Sequence, residues 1–250
     1  MRGLIIVVAL LAPIAVCHAE STIAVSGAAA ESAPESSNSW RLTPSNLARP
    51  NAVFMFAGRL STTDMASTVI FNFNYKPIFN RPAYDNYIAG FAYERDLFEI
   101  KNDVRLRVEG GLAERFGNYL VCCVQKSVDW PHPDDTVKFS GYMYTTEGWI
   151  GPKLRWENFH PAQGTHLSLA ATVGVSGVTR TMGRERAREI DLRGNAHFLG
   201  YVSPEVNLAF DRLPNWEFVL RETHRSGALG TFGHMREGYN ANVLGVRYIF

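Results

Sequence analysis

Near its carboxy end the chain reads Trp216-Glu-Phe-Val-Leu220-Arg-Glu222-Thr-His224-Arg-Ser226-Gly227. Trp216, Phe218 and Leu220 alternate with polar residues, so this run is an extended strand with an apolar face. Strict alternation puts Glu222, His224 and Ser226 on that same face. A hydroxyl two residues from an imidazole lies roughly 6–7 Å away along a strand, within side-chain reach. An imidazole that takes the hydroxyl's proton, with a carboxylate behind it fixing its tautomer, is the machinery of nucleophilic acyl transfer. Ser226 would be the nucleophile and His224 the base. Glu222, on the same face, could stand behind the imidazole. A non-catalytic reading of the same residues is a polar rim at the level of lipid headgroups, with Gly227 starting a loop.

Such a site needs a wall to hold it. From Asn51 onward the chain falls into eight alternating segments: Ala52–Leu60, Asn86–Asp96, Asp103–Phe116, Tyr142–Trp156, His166–Val178, Phe198–Phe210, Asn215–Ser226 and Tyr239–Phe250. Connections after Leu60, Phe116, Val178 and Ser226 are long, about 12 to 25 residues, and the others are about 4 to 9, the habit of outer-membrane barrels. The fold class expected is therefore all-β: an eight-stranded antiparallel transmembrane β-barrel with both ends in the periplasm. Ten strands are the alternative, if the apolar stretch Val69–Tyr75 and one further partner segment pair as well.

Each segment splits into an apolar and a charged face. Leu244, Val246, Tyr248 and Phe250 oppose Arg247; Val104, Leu106 and Val108 oppose Arg105, Arg107 and Glu109; Ile150, Leu154 and Trp156 oppose Lys153 and Arg155; Val206, Leu208 and Phe210 oppose Glu205. A charge facing lipid costs several kcal/mol, so these charges must point inward. Eight strands enclose a bore that side chains fill. The expected lumen is a packed ionic core of Arg107, Glu109, Glu147, Lys153, Arg155, Glu205, Arg221 and Arg247, not a water channel.

Other features bound the function. Lys plus Arg number 25 and Asp plus Glu 24, so there is no basic excess for nucleic acid. Mean hydropathy is slightly negative, and the single apolar run, Gly3 to Val16, is too short for a spanning helix. With Arg2 before it and Ala19 after it, that run reads as a signal peptide over residues 1–19. Val16 before Cys17 is branched, which speaks against a lipoprotein site. Residues 20–50, rich in Ala, Ser, Glu and Pro, read as a disordered periplasmic leader, and residues 51–250 as the barrel domain. Cys122 and Cys123 are adjacent, and a bond between them would be strained. Trp130-Pro-His132-Pro-Asp134-Asp135 offers too few convergent ligands for a metal. Arg180, Arg184, Arg186, Arg188 and Arg193, interleaved with acids, read as a salt-bridged loop or as a contact for lipopolysaccharide phosphates. No metal or cofactor is expected.

The motif His224-Arg225-Ser226 on the penultimate strand, followed by Glu237, resembles that of the lipid A 3-O-deacylases. The resemblance covers the signal peptide, the penultimate strand, its loop and the last strand. It implies an eight-stranded outer-membrane barrel whose active site faces the membrane. It further implies Ser226 as nucleophile, His224 as general base and then acid, and Glu237 as its orienting acid, with Glu222 the alternative. Gly227 stands where that family has an Asn, so the backbone N–H groups of Gly227 and Ala228 would form the oxyanion hole. Strict alternation back from Phe250 sends Glu237 inward, so a bend or bulge must re-aim it. Lipid A of lipopolysaccharide is the substrate implied. The terminal Tyr248-x-Phe250 resembles the signal read by the barrel-assembly machinery. A non-enzymatic structural or adhesion barrel without a pore is the alternative function.

Overall fold

The alternation from Asn51 onward is that of a wall wetted by different media on its two sides, and it folds accordingly. In a computed structural model, residues 43–44, 49–61, 84–101, 103–118 and 141–250 are described. The strands are β1 (Asn51–Ser61), β2 (Tyr84–Lys101), β3 (Val104–Asn118), β4 (Tyr142–Ala162), β5 (Thr165–Val178), β6 (Phe198–Phe210), β7 (Trp216–Ser226) and β8 (Glu237–Ile249). A helix, α1 (Gly183–Asp191), lies between β5 and β6. Each strand pairs antiparallel with its neighbours in sequence. The last pairs with the first, Ala52 opposite Ile249 and Ser61 opposite Asn240. The eight-stranded barrel is thus closed, with no free edge. At the seam Phe250 N–H donates to Asn51 O (2.9 Å) and Asn51 N–H to Phe250 O (3.1 Å).

All eight expected segments are strands. The signal peptide, most of the leader, Val69–Tyr75, Cys122, Cys123 and Trp130–Asp135 lie outside the described residues. Of the leader, Thr43 and Pro44 pair with Glu99 and Phe98 of β2. Two strands run further than alternation suggests: β2 reaches Lys101 rather than Asp96, and β4 reaches Ala162 rather than Trp156. The reason is local. Register shifts fall between Asp96 and Phe98 and between Trp156 and Phe159, so pairing continues where the period of two breaks. The short connections at 102–103, 163–164 and 211–215 mark the periplasmic end.

Outward residues are large and apolar: Met55, Phe91, Leu112, Ile150, Phe218 and Leu244 are all exposed. Inside, seven of the buried carboxylates (Glu94, Asp96, Glu109, Glu147, Glu185, Glu205, Glu217) face seven buried cations (Arg107, Arg115, Lys153, Arg155, Arg221, Arg225, Arg247). An apolar exterior around a charged interior inverts a water-soluble barrel and is the architecture of an outer-membrane β-barrel. Every charged residue named above as a lumen member is buried there.

The lumen's centre is Lys153. Its ammonium lies 2.6 Å from Glu205, 2.9 Å from Glu94 and 3.2 Å from Glu109. Three carboxylates so close could suggest a metal centre, yet the lysine supplies the cation. Arg247 ties Glu94 (2.9 Å), Glu205 (2.6 Å) and Glu217 (2.8 Å) together. Phe54 lies under the guanidinium groups of both Arg221 and Arg247. Towards the outer mouth, Arg115 (2.9 Å) and Arg225 both bind Glu185. Glu185 belongs to α1, which therefore reaches into the barrel from above. This helix occupies the stretch read from sequence as an arginine-rich loop.

Candidate functional site

The wall formed by β1, β8 and β7 carries an apolar exterior that ends in a polar one. Opposed across these strands are Ala57, Leu244 and Leu220; then Arg59, Asn242 and Glu222; then Ser61, Asn240 and His224. All share the outward parity of Phe218 and Val246. The sequence therefore aims His224 at the exterior, where the apolar band gives way to the outer rim.

His224 Nδ1 is 2.5 Å from Asn240 Oδ1. An amide oxygen only accepts, so Nδ1 carries the proton and Nε2 keeps its lone pair. This is the tautomer a general base requires. The partner that fixes it is Asn240, not either acid considered from sequence. Glu222 sits one pair further down the wall, fully buried and opposite Asn242.

A bulge in β8 sets the place of Glu237. Asn240 pairs with His224 while Glu237 pairs with Ser226, so three residues of β8 are spanned by two of β7. Within this bulge Tyr239 turns into the lumen and donates to Glu147 (2.5 Å). Glu237 thereby comes to lie across from Ser226. Its carboxylate binds Arg188 of α1 at 2.7 Å, and the same arginine donates to Gly238 O at 2.8 Å. Glu237 and Arg188 are the charged groups that act on the imidazole, without a hydrogen bond to it.

Ser226 Oγ donates to Arg236 O (3.1 Å) and accepts the N–H of Ala228 (3.1 Å). It is not hydrogen-bonded to His224. The turn beyond it is tight. A Cβ on Gly227 would lie 1.8 Å from Met235 O, so only glycine fits there. Gly227 O accepts from Gly230 (3.1 Å) and Phe232 (2.9 Å), and Ala228 and Leu229 both adopt positive φ. The structure thus gathers Ser226, His224 and Glu237 at one rim but does not link them in a hydrogen-bonded chain.

No protein-family model and no curated protein matches the chain. Solved structures similar to it include the outer-membrane enzyme PagL, at 10% identity, covering 79% of this chain and 98% of that one, with a TM-score of 0.44. Neisserial surface protein A matches at 10% identity over 80% and 97% of the two chains, TM-score 0.42. The N-terminal β-barrel domain of Pseudomonas aeruginosa OprF matches at 10% over 81% and 98%, TM-score 0.37. At this level the likeness is one of architecture.

Two residues at the rim escape a reading based on the motif alone. Asn240 was visible: with Asn242 it interrupts the apolar face of Leu244, Val246 and Tyr248. Arg188 had no such signal, because its place follows from the path of α1.

Proposed function

We propose that the chain is an outer-membrane ester hydrolase that removes an acyl chain from lipid A, working from the outside of its barrel. The observation carrying this reading is the outward-facing imidazole whose Nδ1 is fixed by Asn240, two residues from the Ser226 hydroxyl. The site lies where the apolar band ends, the depth at which ester groups of an outer-leaflet lipid lie. In the reaction Ser226 turns about χ1 from Arg236 O towards His224 Nε2. That rotation also frees the Ala228 N–H, which with Gly227 N–H can then receive the oxyanion. Oγ attacks the ester carbonyl as its proton passes to Nε2. Collapse of the tetrahedral intermediate expels the sugar oxygen, which takes that proton from His224. Water, activated by the same nitrogen, then hydrolyses the acyl-enzyme. Asn240 orients the imidazole throughout, and Glu237 contributes negative charge beside the imidazolium. Phe250, at the seam, is the residue proposed to meet the barrel-assembly machinery.

One observation favours a second reading, a non-enzymatic envelope barrel: the Ser226 hydroxyl is engaged by Arg236 O. Mass spectrometry of lipid A from cells with and without the protein separates the two. Release of a 3-hydroxy fatty acid that Ser226→Ala and His224→Ala each abolish, with the barrel still folded, supports the hydrolase. An identical acyl pattern in all strains leaves only the non-enzymatic barrel.

A further inference from the structure

The opposite end of the barrel holds a second group of imidazoles. His160, near the end of β4, and His166, near the start of β5, face each other across the hairpin. Their rings meet edge to face, with centroids 4.9 Å apart. They line a cavity of about 350 Å³ at the periplasmic mouth, together with Asp103, Glu157 and Arg155. His166 Nε2 is 2.6 Å from Asp211 Oδ1. The backbone of Asp211 is held by its N–H, which donates to Gly164 O at 3.1 Å, while its carboxylate is exposed. Gly164, at φ +71°, is the turn residue beside it, where a Cβ would lie 3.3 Å from Asp211 Oδ2.

A carboxylate that holds one imidazole N–H leaves the other nitrogen as a fixed lone pair, the usual support of a metal-ligating histidine. Here the nitrogen left over is Nδ1 of His166, beside a second imidazole. Glu157 is engaged by Arg105 (3.0 Å) and Arg155 (2.8 Å). The Asp103 carboxylate makes no such ion pair among the described residues, and it lines the same cavity. We infer that the periplasmic mouth binds a divalent transition-metal ion, with Zn²⁺ the best fit, between His160 and His166. Asp103 and water complete the coordination, and Asp211 supports His166 from behind. Two neutral imidazoles with one carboxylate suit zinc rather than calcium or magnesium, which take oxygen ligands. The ligand atoms of His160, His166 and Asp103 do not converge on one point as they stand, so the ion must draw them together. Bound there, the ion would clip the β4–β5 turn to the β6–β7 turn through Asp211. The site is independent of the hydrolase reading.

The test is Zn²⁺ titration, by calorimetry, of the full untagged barrel folded in detergent. One equivalent should bind saturably, and His160→Ala and His166→Ala should each remove that event. Asp211→Asn should weaken it about tenfold or more, as loss of an outer support does. His197→Gln, far from this mouth, should leave it unchanged. Co²⁺ in place of Zn²⁺ should show visible absorption that is lost in the same variants. Because the substituted side chains are exposed, the heat-modifiable folded band on gels should persist in each. Zn²⁺ uptake that is non-saturating, or equal in wild type and both histidine variants, overturns the inference.

Discussion

Replacing Lys153 by Met keeps the length of the side chain and deletes its charge. The ammonium lies 2.6, 2.9 and 3.2 Å from three carboxylates, all sealed from solvent. At an effective dielectric constant near 20, each contact amounts to about 5–6 kcal/mol of gross attraction. Most of this is offset by the cost of dehydrating the ions. Breaking a buried ion pair typically costs about 3–5 kcal/mol net, and three acids around one base place Lys153→Met at the upper end. The lumen would then hold seven carboxylates against six cations. The measurement is urea unfolding in detergent micelles or vesicles, followed by tryptophan fluorescence and by the folded band on gels. Adding Glu205→Gln restores the balance at six and six, so the double variant should be more stable than the sum of the single losses by about 1–3 kcal/mol. A loss below about 1 kcal/mol for Lys153→Met, or strict additivity in the double variant, refutes the view that the lumen coheres by mutual neutralisation.

Glu185→Ala removes the carboxylate shared by Arg115 and Arg225, so α1 should leave the mouth. Trypsin should then cut after Arg184, Arg186 or Arg188 much faster than in wild type, while the barrel band stays intact. The same helix should loosen in acid. Burial works to raise the Glu189 pKa, but hydrogen bonds from Thr181, Arg186 and the Ala196 N–H outweigh it and hold the carboxyl below its ordinary 4.5. A carboxyl depressed in the folded state contributes stability above its ordinary pKa, and that contribution is lost as pH falls through its lower folded value. A spin label on Ile190→Cys, with Cys122 and Cys123 changed to Ser, should therefore gain mobility at a pH below 4.5 and not between pH 6 and 8. Planar bilayers with purified wild-type protein should show no stable large conductance, because paired charges and α1 fill the bore.

How far these features were legible in the sequence depends on what kind of force makes them. The strands were readable because lipid and lumen impose opposite demands on alternate residues. Lys153 between Pro152 and Leu154, or Arg247 between Val246 and Tyr248, leaves no choice of face. The strand ends at Lys101 and Ala162 were not readable, because bulges break the alternation while pairing goes on. The helix α1 was invisible for a different reason. Its buried residues are Gly183, Glu185 and Glu189, so it packs charge against charge, and hydrophobic periodicity has nothing to report. At the site, His224 and Ser226 could be placed on one outward face, and the need for a bulge before Glu237 could be stated. Which acceptor takes the Nδ1 proton could not, since that is decided by cross-strand pairing with Asn240.

The bulge in β8 also changes what a motif spacing means. Below it even-numbered residues face the membrane; above it the odd-numbered Glu237 does. The count from a histidine on one strand to an acid on the next is therefore the sum of loop length and bulge size, and it is not a ruler for distance in space. Two barrels could hold the same side chains in the same places with counts that differ by one. Deleting Gly238, for instance, would remove the bulge and leave the acid on the membrane side by plain alternation, with the count from His224 one shorter. A search for such sites by fixed spacing follows a counting frame that one inserted residue resets.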